Sequence, residues 1–292
     1  MQLAFDDITT GSIQFSGIKD IEVSVLRLDK IHPVISGNKW FKLRYYLQEA
    51  KEQKKKRIIT FGGAYSNHIV ATAATCKMSD LEAAGIIRGE EPPSYSHTLL
   101  KAKEYGMQLH FTSREEYHHK KVPAELLNDE SYLICEGGFG EKGAEGAATI
   151  LDHTKNDFTH YCCAVGTGTM MAGLIKAALP DQKVTGVSVM KNNYELADNV
   201  RSLTNEKNKE WEIIHDYHFG GYAKYQPALI GFMNEFYRQT HIPSDFVYTG
   251  KLFYAISDLA QKHFFPAGSR LLIIHSGGLQ GNISLKKGTL IF

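Results

Sequence analysis

Short apolar runs alternate with helical repeats along most of the chain, and this alternation predicts the fold class. Runs such as 57–61 and 270–275 have the length and β-branched content of buried strands. Strands are predicted at 21–28, 57–61, 82–87, 107–111, 132–135, 159–165, 184–190, 211–215 and 270–275. Helices are predicted at 39–50, 69–76, 96–105, 143–153, 170–179, 195–203, 226–239 and 250–263. This order is typical of an α/β protein whose parallel-rich sheets are covered by helices.

Composition agrees with a large folded unit and excludes several classes of protein. The 292 residues are 43% hydrophobic, which is ample for one two-lobed unit or for two domains. A formal net charge of +1, without a long basic stripe, gives no electrostatic case for nucleic-acid binding. No apolar run approaches the length of a transmembrane helix, and residues 1–10 lack the apolar core of a signal peptide. We therefore expect a cytoplasmic protein without a membrane partner.

The cysteines show neither metal-ligand nor disulfide spacing. Cys76 and Cys135 stand alone, and Cys162 and Cys163 are adjacent within a predicted strand. We therefore predict reduced cysteines and no metal site.

Three glycine-bearing loops that follow predicted strands are candidates for ligand binding. They occupy residues 62–68, 166–169 and 276–278. Ligands of open α/β sheets collect beyond the carboxyl ends of the strands, where backbone N–H groups at glycine turns suit an anion. Gly-Thr-Gly-Thr at 166–169 is the best phosphate cradle, because glycines allow close approach and threonines add hydroxyl donors. A simple tight turn is the alternative interpretation.

The loop at 166–169 does not fit a dinucleotide or a nucleoside triphosphate. The dinucleotide fingerprint requires a third glycine, where this chain has Met171, and then an acidic residue, where it has Met190-Lys191. Lys191 leaves a 2′-phosphorylated dinucleotide as a minor alternative. The Gly-Lys-Ser/Thr of the nucleotide-binding P-loop is absent from the sequence. A monophosphate fits the loop better.

Lys39 is the candidate nucleophile. It follows a Ser36-Gly37-Asn38 turn and begins a predicted helix. Positive partial charge at a helix N-terminus, together with desolvation, lowers the pKa of a lysine and favours its neutral, nucleophilic form. An exposed lysine at the start of a helix is the alternative. Pyridoxal phosphate needs a lysine, a phosphate cradle and a partner for its ring nitrogen, and this chain has candidates for all three.

Five segments resemble, in order, those of the 1-aminocyclopropane-1-carboxylate deaminase and D-cysteine desulfhydrase family. Ser-Gly-Asn-Lys-Trp-Phe-Lys-Leu at 36–43 is similar to Gly-Gly-Asn-Lys-x-Arg-Lys-Leu, and residues 62–68 to the Gly-Gly-x-x-Ser-Asn-His/Gln loop. Residues 166–169, 247–251 and 276–278 resemble the phosphate loop, the Val-Tyr-x-Gly-Lys segment and the closing Thr-Gly-Gly. The resemblance implies a fold-type-II, tryptophan-synthase-β-like enzyme that uses pyridoxal phosphate.

The resemblance also implies two lobes with the site in the cleft between them. Residues 46–149 would form a smaller inserted lobe, whereas residues 1–45 and 150–292 would form the large cofactor-binding lobe. The expected substrate is a small amino acid, and the expected assembly is a homodimer.

Roles for individual residues follow from the same resemblance. Lys39 would hold the cofactor covalently and move the α-proton of the substrate. Ser66 would bind the substrate carboxylate or take part in proton transfer, and Asn67 would hydrogen-bond the cofactor's ring oxygen. Tyr248 would face the substrate, with Tyr222 as a second aromatic candidate or a purely structural residue. The residues expected to bind the cofactor are Lys39, Asn67, Val165, Gly166, Thr167, Gly168, Thr169, Thr249, Ser276 and Gly277.

Thr249 departs from the pattern of the ring-opening deaminases. These carry Glu at this position, near the pyridine nitrogen, whereas the desulfhydrases carry a small hydroxyl residue. A carboxylate keeps the ring nitrogen protonated, which makes the cofactor a stronger electron sink. Ring opening needs this stronger sink more than loss of a thiol does. The sequence therefore favours D-cysteine desulfhydrase-like β-elimination, giving pyruvate and ammonia. The alternatives are ring-opening deamination of 1-aminocyclopropane-1-carboxylate, racemisation or dehydration on the same fold, and a non-catalytic anion-binding α/β protein.

Two further positions depart from the family pattern near the site. Ser36 replaces a glycine before Gly37, and Tyr65 replaces the more usual Gln or Val before Ser66. A bulky Tyr65 is expected to shrink or reshape the substrate side of the pocket.

Overall fold

The computed structural model describes residues 2–155, 157–204 and 209–292, in which helices pack on two sheets. The strands are β1 (Thr10–Ile13), β2 (Glu22–Arg27), β3 (Arg57–Gly62), β4 (Glu82–Arg88), β5 (Gln108–Thr112), β6 (Ser131–Ile134), β7 (His160–Val165), β8 (Lys183–Ser188), β9 (Trp211–Ile214) and β10 (Arg270–His275). The α-helices are α1 (Asn38–Glu52), α2 (Asn67–Met78), α3 (His97–Glu104), α4 (Arg114–His118), α5 (Glu141–Ala148), α6 (Thr169–Ala177), α7 (Leu196–Thr204), α8 (Pro227–Thr240) and α9 (Thr249–Gln261).

The pairing of the strands confirms the predicted α/β class. One sheet has the order β1-β2-β10-β7-β8-β9, and the other has the order β5-β4-β3-β6. β1 runs antiparallel to β2, whereas the remaining neighbours in both sheets are parallel. The strand order had no signature in the apolar pattern, because it depends on contacts between distant segments.

The central strands are buried on both faces, which explains why they read as continuous apolar runs. Side chains alternate across β10, so that Leu272 and Ile274 join the core beneath α5 and α6. Leu271 and Ile273 point to the opposite face and join the core beneath α9. The larger sheet therefore has a hydrophobic layer on each side.

Helix α1 connects the cores of the two sheets and so positions the site. Its Phe41 packs into a core of the larger sheet, whereas Leu43 and Leu47 pack with Ile58 of the smaller sheet. The start of α1, including Lys39, consequently lies where the two sheets meet. The division into lobes at residues 46–149 stays a prediction.

A few elements differ from the predicted ones. β1 and α4 were not predicted, because β1 is largely exposed and lacks apolar alternation, while α4 spans five residues and is too short for a helical repeat. The helix predicted at 143–153 is α5 followed by a separate turn at Leu151–His153. Within the described ranges, no helix combines the length and apolar character required to cross a bilayer.

Candidate active site

A cavity of about 510 Å³ lies beyond the carboxyl ends of the parallel strands, between the two sheets. Its wall is built from loops after β3, β6, β7, β8 and β10, and from the start of α1. This is the position at which open parallel sheets bind ligands. The predicted site residues that line it are Lys39, Ser66, Asn67, Val165, Gly166, Thr167, Gly168, Tyr222, Tyr248, Ser276 and Gly277. Thr169 and Thr249 are buried and do not line this cavity.

Lys39 occupies the second position of α1 and carries a perturbed amine. Its Nζ donates a hydrogen bond of 2.7 Å to Asn38 Oδ1 and lies 5.9 Å from the centre of the Tyr248 ring. Burial lowers the pKa of Lys39 to about 8, and the negative charge of Asp245 acts in the opposite direction. Near neutral pH an appreciable fraction of this amine is therefore unprotonated and nucleophilic.

Close approach of two loops sets the position of Lys39. Gly37 has a φ of +66°, and a Cβ built on it would stand 1.8 Å from the Ser276 carbonyl oxygen. Gly277 has a φ of +75°, and its Cβ would stand 2.3 Å from Ser36 Oγ. A side chain at either glycine would force these loops apart. The two glycines thus allow the loop after β10 to lie against the start of α1.

The loop after β7 has the form of an anion cradle. Gly168 adopts the left-handed conformation immediately before α6, and the hydroxyl oxygens of Thr167 and Thr169 lie 3.0 Å apart. A Cβ at Gly166 would stand 3.4 Å from Tyr248 Cε1. Backbone N–H groups and the positive end of the α6 dipole suit a phosphate at this point.

Lys42 is a cavity residue that the sequence reasoning missed. It is 5% exposed, and the described residues provide no hydrogen-bond acceptor or carboxylate partner for its Nζ. Burial holds its pKa well below the usual lysine value, and the neighbouring charge of Lys39 lowers it further. A buried amine with no partner fits a site that receives an anion. The available signal was the position of Lys42 three residues after Lys39 on one predicted helix, since residues three apart on a helix share a face.

Unpartnered polar atoms next to this amine also fit a bound polar group. Asn67 Oδ1 and His68 Nδ1 are buried without hydrogen-bond partners in the described structure. Thr60 donates its hydroxyl proton to the Ile134 carbonyl oxygen, so His68 Nε2 must donate to Thr60 Oγ1. His68 Nδ1 therefore keeps a lone pair. With the lysines and the cradle, this donor and acceptor set fits pyridoxal phosphate.

The structure brings together the two tyrosines predicted to face the substrate. The Tyr248 and Tyr222 hydroxyl oxygens are 3.4 Å apart, and the ring centres are separated by 6.0 Å. Burial raises the pKa of both phenols above the usual tyrosine value. Both hydroxyls are consequently protonated at neutral pH and are able to donate hydrogen bonds.

Asp245 organises the segment that carries Tyr248, and sequence reasoning did not identify it. Its carboxylate accepts backbone N–H bonds of 2.9 Å each from Val247, Tyr248 and Thr249. The Thr249 hydroxyl donates to Asp245 Oδ1 and accepts from the Asp245 N–H, each at 2.8 Å. The hydroxyl of Thr249 is therefore engaged by Asp245 rather than presented to the cavity. An acidic residue shortly before a predicted helix was the available signal.

Lys251 anchors the loop that carries Tyr222. Its Nζ donates to the carbonyl oxygens of His218 at 2.8 Å, Gly221 at 2.7 Å and Val189 at 3.3 Å. Burial lowers the pKa of Lys251 to about 8. At neutral pH it is mainly an ammonium group, whose three N–H donors match the three carbonyl acceptors.

Comparisons with known proteins agree with the resemblance of the five segments. A family model described as pyridoxal-phosphate dependent enzyme matches residues 14–277. The bifunctional D-cysteine desulfhydrase/1-aminocyclopropane-1-carboxylate deaminase, mitochondrial, of Arabidopsis thaliana is 27% identical, over 89% of this chain and 73% of its own. A 1-aminocyclopropane-1-carboxylate deaminase of Rhizobium leguminosarum bv. viciae is 25% identical, over 84% of this chain and 82% of its own. The crystal structure of an ACC deaminase homologue superposes with a TM-score of 0.81 at 27% identity, covering 94% of this chain and 90% of that one. The predicted resemblance is confirmed.

Proposed function

This chain belongs to the pyridoxal-phosphate dependent enzyme family, and we propose that it catalyses D-cysteine desulfhydrase-like β-elimination from a small amino acid. The products are a thiol or sulfide, pyruvate and ammonia. The observation that carries the proposal is the Lys39 amine, whose pKa is lowered to about 8 and which shares one cavity with the cradle at 166–168 and the tyrosine pair. When bound, the cofactor supplies an electron sink for the charge left by loss of the α-proton.

The residues of the cavity divide between holding the cofactor and handling the substrate. Lys39 would bind the cofactor covalently, while the Gly166–Gly168 backbone, the start of α6 and Lys42 would hold its phosphate. Asn67 would contact the ring oxygen. Ser66 would hold the substrate carboxylate, because its loop borders the same cavity. Lys39 Nζ would then accept the α-proton.

Tyr222 and Tyr248 are proposed to position the substrate and to donate hydrogen bonds to it. Their raised pKa values disfavour a role as general bases at neutral pH. Lys39 is therefore the proposed proton acceptor of the site.

Ring-opening deamination of 1-aminocyclopropane-1-carboxylate is the second candidate. It is favoured by the name of the Rhizobium relative, whereas the Arabidopsis relative carries both activities in its name. The residue at 249 supports elimination, since Thr249 provides no carboxylate and its hydroxyl is already bonded to Asp245.

A side-by-side substrate assay tests the proposal. Cofactor-loaded protein is given D-cysteine, L-cysteine or 1-aminocyclopropane-1-carboxylate, and ammonia and 2-oxo acid are measured, with sulfide for the cysteines. We expect the wild-type protein to turn over D-cysteine. Lys39→Ala should lose all activity and should also lose the visible absorption of the lysine-bound cofactor. Turnover of the cyclopropane without sulfide release from D-cysteine would refute the elimination proposal.

We also propose that the protein acts as a homodimer in the cytoplasm. Light scattering after size-exclusion chromatography should then give twice the 32.7 kDa of the chain. A monomeric mass would refute the assembly, and fractionation of cells would test the location.

A further inference from the structure

A second cavity, of about 710 Å³, adjoins the active-site cavity. The two cavities share wall residues from the loop after β3, the end of β4 and the segment after β6; these are Gly63, Ala64, Tyr65, Arg88 and Glu136. Tyr65 is 60% exposed and lines both spaces. A substrate group that extends past Tyr65 from the Ser66 loop would therefore enter the second cavity.

Positive charge predominates in the wall of the second cavity. Arg88, Arg114 and Lys120 line it, and Glu136 is the acidic residue among its described lining. Glu136 already forms a salt bridge with Lys120, whose Nζ also lies 3.9 Å from the centre of the Tyr117 ring. The cavity thus retains two positive charges after this pair is counted.

The two remaining arginines have no carboxylate partner. In the described ranges, neither Arg88 nor Arg114 lies within 4.0 Å of an acidic oxygen. Four other arginines form such pairs, namely Arg27–Asp29, Arg57–Glu82, Arg201–Asp198 and Arg238–Glu235. Arg44 and Arg270 also lack a carboxylate partner in the described ranges, but neither of them lines the second cavity. Unpaired guanidinium groups that face one concave space are suited to a carboxylate, which they bind through paired N–H donors.

The cofactor and the α-carboxylate do not account for these arginines. Lys39 and Lys42 lie with the phosphate cradle in the first cavity, and Ser66 is proposed to hold the α-carboxylate. Arg88 borders the first cavity as well, so it stands between that site and the basic space containing Arg114. An anion bound there would belong to the far end of the substrate.

We propose that this enzyme selects amino acids whose β-substituent carries an anionic group, which Arg88 and Arg114 bind in the second cavity. This inference rests on the proposed elimination. The substrate class is a cysteine S-conjugate whose leaving thiol bears a carboxylate. Lys39 Nζ takes the α-proton, the Cβ–S bond breaks, and its electron pair leaves with sulfur, which is released as the thiol. One water is consumed, and pyruvate and ammonium are the other products.

An isosteric substrate pair tests the inference. S-carboxymethyl-D-cysteine carries a carboxylate where S-carbamoylmethyl-D-cysteine carries a neutral amide, and both release pyruvate. A charge-assisted contact to arginine should give the carboxylate at least about a tenfold advantage in kcat/KM. Arg88→Gln and Arg114→Gln should each reduce this ratio to under about threefold. Because the assay compares two substrates on one preparation, the ratio does not depend on the fraction of protein that is folded.

A matched control comes from α8, where Arg238 pairs with Glu235 outside both cavities. Arg238→Gln should keep the wild-type ratio.

A direct binding measurement is independent of turnover. Calorimetric titration of the cofactor-loaded protein with mercaptoacetate should show binding that Arg88→Gln weakens at least tenfold. This loss would support the inference.

The possible failures are distinguishable. Release of sulfide from D-cysteine, combined with equal use of the two S-conjugates, would overturn the anion preference and leave the elimination in place. Activation of D-cysteine turnover by added mercaptoacetate, again with equal use of the conjugates, would identify an effector site and overturn the inference. Absence of turnover on D-cysteine and on both conjugates would overturn the proposed function and the inference together.

Discussion

Lys251→Met is the substitution that most directly tests how the two tyrosines of the candidate site are held. Lys251 is fully buried, and its ammonium group joins the end of β8, through Val189, to the loop that carries Tyr222. Methionine keeps a similar length and apolar stem but removes the three N–H donors. The change therefore deletes the anchor while leaving most of the packing in place.

The magnitude follows from what each carbonyl loses. The His218 carbonyl also accepts from the Gly221 N–H at 3.0 Å, and the Gly221 carbonyl from the Lys224 N–H at 3.1 Å. In the described structure, the Val189 carbonyl has no further donor. An orphaned buried carbonyl costs about 1–3 kcal/mol, and the other two lose their charge-assisted bonds. Relief from burying a charge offsets part of this cost, so we expect a net loss of about 2–4 kcal/mol in the free energy of unfolding.

Lys251→Met should disturb the loop that carries Tyr222 more than it lowers the stability of the whole protein, because this loop is conformationally strained. Phe219 and Ala223 have φ values of +50° and +52°, which non-glycine residues adopt only when their surroundings enforce them. Without Lys251, the loop is expected to relax and to move Tyr222 away from Tyr248. Urea unfolding would measure the stability, and steady-state assays should show kcat/KM falling by at least about tenfold. The visible absorption of the lysine-bound cofactor should be retained.

The matched control lies at the end of the same helix. Lys262 pairs with Asp258 at 2.6 Å, and its side chain is 65% exposed. Because exposed ion pairs contribute little, Lys262→Met should leave both the free energy of unfolding and the kinetics unchanged. If Lys251→Met behaves like this control in both assays, the three carbonyl contacts do not hold the site.

Two other predictions concern backbone space and protonation. Gly37→Ala should prevent cofactor attachment or folding, because its Cβ would stand 1.8 Å from the Ser276 carbonyl oxygen. Gly231→Ala, on the open face of α8, should instead stabilise the protein by up to about 1 kcal/mol. Urea unfolding of the two variants measures this difference. The rate at which apoprotein attaches pyridoxal phosphate should rise with pH around a midpoint near 8, because only unprotonated Lys39 Nζ reacts and burial lowers its pKa. A midpoint above pH 10 would show that the amine is not desolvated.

Much of the fold was predictable because its elements carry local signals. The parallel strands are buried on both faces, so segments such as Arg57–Gly62 and Arg270–His275 appear as compact apolar runs. The glycine loops follow these strands directly, and the parallel direction brings their carboxyl ends to one edge of each sheet. The gathering of Lys39 with the loops at 62–68, 166–168 and 276–278 therefore followed from local pattern together with family resemblance.

The supporting residues were not predictable in the same way, because their partners are distant backbone groups. Lys251 bonds to carbonyls 30, 33 and 62 positions away along the chain. A carbonyl oxygen is common to every residue and leaves no mark in the sequence. The basic second cavity could not be predicted for a similar reason, since Arg88 and Arg114 come from separate elements that only tertiary packing places around one space.

Thr249 shows why a specificity signal read at one position depends on another. By family resemblance alone, threonine or glutamate at 249 would differ only as a partner for the cofactor's ring nitrogen. In the structure, Thr249 exchanges two hydrogen bonds with Asp245, and the carboxylate of Asp245 accepts three backbone N–H groups besides. A glutamate at 249 would bring a second carboxylate against this buried one, and two neighbouring carboxylates do not both ionise readily. The presence of Asp245 therefore favours a neutral residue at 249, so that the feature proposed to separate elimination from ring opening belongs to the pair of residues.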